Sequence, residues 1–138
     1  MRLTKTRRAY FEAARAIAEL SDFPKIKVGA IAVYGHHIIS SGFNAQRTAP
    51  IQKRYNRYRF SDDTPASLHA EIACLKPLIR RKGINFKRVD LYIYRQYFNG
   101  DLAMARPCES CFKLIKDLGI RHIYYTTNMG YSHENILE

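Results

Sequence analysis

The chain is 138 residues long, enough to bury one substantial hydrophobic core as a single domain over 1–138. Hydrophobic residues at 46% and aromatics at 12% argue against a disordered chain, and no apolar run approaches the roughly 18 residues of a membrane span. Twenty-three Lys and Arg against 12 Asp and Glu leave a formal net charge of +11, an excess that attracts polyanions whatever the fold and makes nucleic acid the expected partner.

Tyr10, Ala13, Ala14, Ile17 and Leu20 recur at helical steps, with Arg8, Glu12, Arg15 and Glu19 opposite, which predicts an amphipathic helix over about 4–20. Met1 to Lys5 leads into this helix rather than into the apolar stretch of a signal peptide, so the chain reads as cytoplasmic. Ser21, Asp22, Phe23 and Pro24 stop the helix. Ile26 to Tyr34 is then a strand, apolar almost throughout, as a strand covered on both faces should be. Gly35-His36 turns it into a second strand, His37 to Phe43.

A basic insertion follows over about 45–66, without clear periodicity. Arg47, Lys53, Arg54, Arg57 and Arg59 are interleaved there with Tyr55, Tyr58 and Phe60. A loop of this length in a small domain is more often functional or mobile than idle. Two readings are open. In one, the cations track phosphates while the rings stack on bases, as in single-strand binding. In the other, a local helical turn packs Tyr55 and Tyr58 on the core.

Ser67, ahead of Leu68, Ile72 and Leu75, is the expected N-cap of a second helix running to about Arg81 and kinked at Pro77. Lys76, Arg80, Arg81 and Lys82 suit the negative end of its dipole, and Gly83 terminates it. Val89 to Tyr94 alternates like a strand. The stretch 96–106 that follows is either a lid or ornament. Cys108 to Leu118 is the third helix, with Phe112, Ile115 and Leu118 inward and Gly119 as its stop. Arg121 to Thr127 is a further strand, so strand, helix and strand form a right-handed parallel crossover. Asn128, Met129 and Gly130 turn a short last strand back from Tyr131.

Within this frame His69-Ala70-Glu71 and Pro107-Cys108-Glu109-Ser110-Cys111 carry the chemistry. Cys108 and Cys111, three apart, share one helix face, and Pro107 marks the helix start. In that first turn, unpaired N–H groups and the positive dipole end favour thiolate. His69 and Glu71 are about 200° apart around a helix, so they share no mid-helix face but can flank a metal at a first turn. The expected centre is one zinc ion between two helix N-termini, held by His69, Cys108 and Cys111 with its fourth position open for water. Two thiolates and a neutral imidazole bring that centre to zero formal charge. Glu71, near the metal but not bound to it, is the candidate proton carrier. A structural zinc site would close the fourth position with another ligand. The only spare cysteine, Cys74, sits a full turn past His69 and reads as a small buried hydrophobe.

At these residues the chain resembles the zinc-dependent cytidine/deoxycytidylate deaminase superfamily, whose signature is H-x-E followed by P-C-x-x-C. Val28 to Val33 and Gly42-Phe43-Asn44 are similar to that family's first hairpin. The resemblance implies an α/β fold of three layers, α-β-α, cytidine-deaminase-like, with a small mixed sheet of four or five strands flanked by helices. It also implies a hydrolytic deaminase acting at C4 of cytosine or C6 of adenine, with cytosine preferred. It gives Asn44 a substrate contact, against a plain turn role. Relatives pass more directly from the third strand to P-C-x-x-C, and Arg106 stands where they carry a small or acidic residue. Arg106 either meets a substrate phosphate, points into solvent or pairs with Glu109. The candidate substrate contacts are therefore Asn44, Ala70 and Arg106, with Arg47, Tyr55, Arg57 and Tyr58 from the insertion.

The expected substrate is cytosine in single-stranded nucleic acid, on the strength of the charge and the insertion. A free cytidylate or deoxycytidylate is the alternative, since it needs only one or two phosphate contacts. Two further alternatives are a related amino-heterocycle and a non-catalytic zinc-containing nucleic-acid-binding module. An open sheet edge leaves a homo-oligomer possible.

Overall fold

The computed structural model describes residues 2–46, 51, 55 and 68–136. Thr4 opens the first helix, α1 (Lys5–Ala18), by accepting the Arg7 N–H on its hydroxyl at 3.1 Å. Strand β1 (Ile26–Tyr34) joins β2 (His37–Phe43) through Gly35 and His36 at φ 57° and 67°. Two successive positive φ values make the tight hairpin turn whose twist matches its strands. Helix α2 (Ala70–Ile79), a short 3-10 turn (Phe86–Arg88) and β3 (Val89–Tyr97) follow. Then come α3 (Glu109–Leu118), closed by Gly119 at φ 94°, β4 (His122–Thr127) and β5 (Gly130–Asn135).

The five strands lie in the order β2-β1-β3-β4-β5, with β3 and β4 parallel and the other pairs antiparallel. This is the expected mixed sheet with helices on both faces. Alternation along each strand divides the core. Ile31, Val33, Tyr92, Tyr94 and Tyr124 pack with Phe11, Ala14 and Ala18 of α1. Ala30, Ala32, Leu91, Ile93, Ile123 and Tyr125 pack with Ile72, Leu75, Leu78, Leu114 and Ile115 of α2 and α3. No described helix is long and apolar enough to cross a membrane.

Two glycines let the helices approach the sheet. A Cβ on Gly29 would overlap the backbone of Ala14 and Ala18, and one on Gly42 the backbone of Ala73 and Cys74. Since backbone cannot swing aside as a side chain can, Gly42→Ala is expected to cost about 3 kcal/mol, read as a lower urea midpoint. An unchanged midpoint would show that α2 can lift off β2 without loss.

Differences from the sequence reading arise where distant segments meet. The second helix starts at Ala70, because Leu68 is held extended by mutual backbone bonds with Ala45 at 2.9 and 3.0 Å. The cap position is therefore His69, whereas the expected cap, Ser67, lies outside the described residues. Strand β3 runs on to Tyr97. The chain then turns, bridges Leu102 back to Gln96 and bonds Ala103 N to Arg95 O at 3.0 Å. Thr126 Oγ1 donates to Ala103 O at 2.8 Å, and Ala105 N donates to Thr126 O at 2.9 Å. The backbone of this stretch is thus bonded back to β3 and β4, Ala103 and Ala105 are buried, and Ala105 and Arg106 line a cleft. Cys74 is fully buried, and that burial pushes its thiol up to about 12, as befits a core residue.

Candidate active site

One end of the sheet gathers the start of β1, the end of β3 and the first turns of α2 and α3. His69 and Cys108 hold the cap positions of the two helices, both with extended backbone, at φ −84°, ψ 150° and φ −67°, ψ 170°. Neither side chain caps its own helix; each turns instead toward the other. His69 Nδ1 lies 3.2 Å from Cys111 Sγ and 3.5 Å from Cys108 Sγ, and the three donor atoms are all within 4.8 Å of one another. Ligands about 2.0–2.3 Å from a tetrahedral zinc stand roughly 3.5 Å apart, so the set fits one zinc ion. Nδ1 rather than Nε2 is the imidazole atom presented, a choice that spacing in sequence does not make.

The sulfurs are prepared for a cation. Cys108 is drawn down to about 3, first by the hydrogen bond from Cys111 and then, against its own burial, by those from His69 and Ser110. The Ser110 hydroxyl is 3.0 Å from its sulfur. Cys111 is pushed well up by bonding to Cys108 and by burial. The hydrogen bonds thus favour the thiolate at Cys108. Glu71, in the first turn of α2, is 6% exposed, and burial raises its carboxyl above the usual range. His69 opposes that shift and Cys108 adds to it, which places the carboxyl beside the donor trio without being part of it.

A cleft of about 490 Å³ opens over these groups, lined among others by Asn44, His69, Ala70, Glu71, Arg95, Arg106 and Cys108. Asn44 is also a clamp, its Oδ1 accepting from Val28 N at 2.9 Å and its Nδ2 donating to Ile26 O at 3.1 Å. One amide hydrogen and one lone pair are left over for a ligand. Arg106 pairs with Glu134 at 2.7 Å and covers the Phe112 ring at 4.6 Å, so its partner is on β5 rather than Glu109. Tyr55 donates to Asp117 Oδ2 at 2.9 Å, near the opposite end of α3 from Cys108, and packs on the core. Arg47, Arg57 and Tyr58 lie outside the described residues.

Arg95 is a cleft residue that the sequence reading passed over. It follows Leu91 and Ile93 on the same strand face, and a cation continuing an apolar face at a strand's C-terminal end was the available signal. Its Nη1 donates to Met104 O at 3.1 Å, while its Nε is buried with no hydrogen-bond partner among the described residues.

The family model for the cytidine and deoxycytidylate deaminase zinc-binding region matches residues 4–127. Among solved structures, the dCMP deaminase of the cyanophage S-TIM5 in apo form is similar at 23% identity and TM-score 0.65, over 91% of this chain and 86% of that one. The same enzyme in complex with dCMP and dUMP gives 20% identity and TM-score 0.64, over 92% and 85%. A cytidine deaminase from Burkholderia pseudomallei gives 18% identity and TM-score 0.63, over 96% and 93%. At these identities the structures share the fold. No curated protein matches the chain in sequence. The matched span includes both motifs, whose donor atoms meet at zinc spacing, and the chain belongs to the cytidine and deoxycytidylate deaminase family of zinc-dependent deaminases.

Proposed function

We propose that the chain deaminates a free cytosine nucleotide, replacing the C4 amine by a carbonyl oxygen taken from water and releasing ammonia. The observation that carries this reading is Arg95: a cation on the wall of the same cleft as Glu71, whose Nε has no hydrogen-bond partner among the described residues. At about 490 Å³ the cleft lies within the range of small-molecule sites, roughly 300–1,000 Å³. A phosphate in the cleft would meet the Arg95 guanidinium, with Lys25 also on the cleft wall, as a charge-assisted partner. The solved phage relative that carries dCMP and dUMP supports the same substrate class.

Bound zinc supplies a water that ionises near neutral pH. Glu71 receives the proton lost from that water and returns it to the departing amine, a double role that suits a buried carboxyl with a raised pKa. Asn44, anchored through β1, presents its remaining amide hydrogen and lone pair to the substrate from a fixed position.

Arg95→Ala is expected to raise KM for dCMP by about 10–100-fold, the worth of a hydrogen bond to a charged group, and to leave KM for cytidine nearly unchanged. Equal effects on both substrates would remove the phosphate from this reading. The net charge of +11 favours a second reading, cytosine in a single strand. Turnover of an oligonucleotide would then exceed that of dCMP, with binding falling steeply as salt rises.

A further inference from the structure

The end of the sheet remote from the cleft carries a concentration of positive charge that deamination does not use. Lys76, Arg80, Arg81, Lys82, Lys87 and Arg88 fall within 13 residues, and no Asp or Glu lies between Glu71 and Asp90. All six are exposed, and none forms an ion pair among the described residues. They contribute +6 against a net +11 for the whole chain, so this end holds a disproportionate part of the excess.

Topology fixes where they lie. Ile26 pairs with Tyr97 beside the cleft, whereas Tyr34 pairs with Val89 at the other end of β1. The 3-10 turn with Lys87 and Arg88 immediately precedes Val89, and α2, which begins at the metal ligands, ends just before Arg80. Arg121, also exposed, precedes β4 at this same end, where Asp90 pairs with His122. A nine-residue strand separates the two ends by about 25 Å at roughly 3.3 Å per residue.

The α2 dipole accounts for only part of this charge, since its influence fades beyond the last turn and does not reach Lys87, Arg88 or Arg121. Like charges so crowded repel one another and call for a polyanion. Two features select its kind. Among the described residues no exposed phenyl or phenol ring stands at this end to stack on an unpaired base, as single-strand sites require. Its exposed large apolar side chains, Ile38 and Ile79, are single residues rather than the continuous apolar face that inserts in a membrane.

We propose that this basic end docks on the sugar–phosphate backbone of double-stranded DNA, without reading sequence, and leaves the cleft at the opposite end open. The duplex offers one charge per roughly 1.7 Å of axis, dense enough to engage all six cations. Docking is independent of the deaminase reaction, and so is its test.

Fluorescence anisotropy with a labelled DNA duplex of roughly 24 base pairs, at salt between about 50 and 200 mM, compares the full chain with Arg80→Glu/Arg81→Glu/Lys82→Glu. The variant is expected to bind at least tenfold more weakly, with a slope of log affinity against log salt shallower by about 2–3. Its turnover of free dCMP should stay within about twofold of the parent, because these residues are remote from the cleft. Unchanged affinity and slope would overturn the proposal. So would tighter binding of the matching single strand, or binding to phosphatidylserine vesicles that the substitutions abolish while duplex binding persists. If the triple variant loses its circular dichroism, Lys76→Glu/Lys87→Glu tests the same surface, with an expected loss of slope of about 2.

Discussion

Glu71→Gln is expected to lower deaminase turnover by about 10²–10⁴-fold while the protein keeps one equivalent of zinc and its fold. The substitution conserves shape and volume in a position that is 6% exposed, so packing changes little. What disappears is the ability to take up a proton: a carboxamide has no basic site, and the water that supplies the new oxygen must lose one. The measurement has three parts: turnover followed by mass spectrometry as the one-unit change from amine to carbonyl, zinc by elemental analysis, and fold by circular dichroism. Turnover equal to the parent's would mean that another group carries the proton. The same experiment bears on a non-catalytic zinc module, which would show no turnover in either protein. The buried carboxylate already argues against such a module, since burying an ionisable group beside two sulfurs costs free energy and a purely structural site has no use for it.

Cys111→Ser is expected to strip the zinc, leaving less than about a tenth of an equivalent bound after dialysis, and to abolish turnover. Cys111 is fully buried in the first turn of α3, with its sulfur 3.2 Å from His69 Nδ1. A hydroxyl in its place is a poor zinc ligand at neutral pH, and two ligands do not hold the ion. Ligand binding that favours the folded state adds to its stability. A loss of about 3 kcal/mol or more should therefore lower Tm by roughly 10 °C for a chain of this size. Zinc content and Tm are read without any assay of activity. Cys74→Ala serves as the control: Cys74 is equally buried but outside the donor cluster, so this variant should lose some stability while retaining its metal. Full zinc occupancy in Cys111→Ser would displace the three-ligand arrangement.

Several boundaries were readable because their causes are local. Tyr34 ends one strand and His37 begins the next because two residues between them suffice for a tight turn. Gly119 closes α3 because a left-handed residue is needed there and glycine takes that conformation without strain. The candidate zinc ligands were readable for a related reason: Cys108 and Cys111 are brought together by one turn of helix, and His69 stands at the start of another, two residues before Glu71. Contacts that join distant segments leave no such local signal. The bridge from Leu68 to Ala45 moves the start of α2, and the pairing of Arg106 with Glu134 depends on β5 lying beside β4.

The charge is the clearest case. As a sum, +11 suggested a substrate with many phosphates, yet six of the cations stand at the end of the sheet away from the cleft. Arg95, a single cation on an apolar strand face, instead reaches the catalytic end. From its residues alone this protein was bound to form helices and strands near their observed places and to carry zinc-ligand residues in two short motifs, since each depends on neighbours within a few positions. Which long side chains face the cleft, which are neutralised by a partner and which stand together as a basic surface was decided only when the strands took their order. Electrostatic interactions act between places in space, and sheet pairing sets those places.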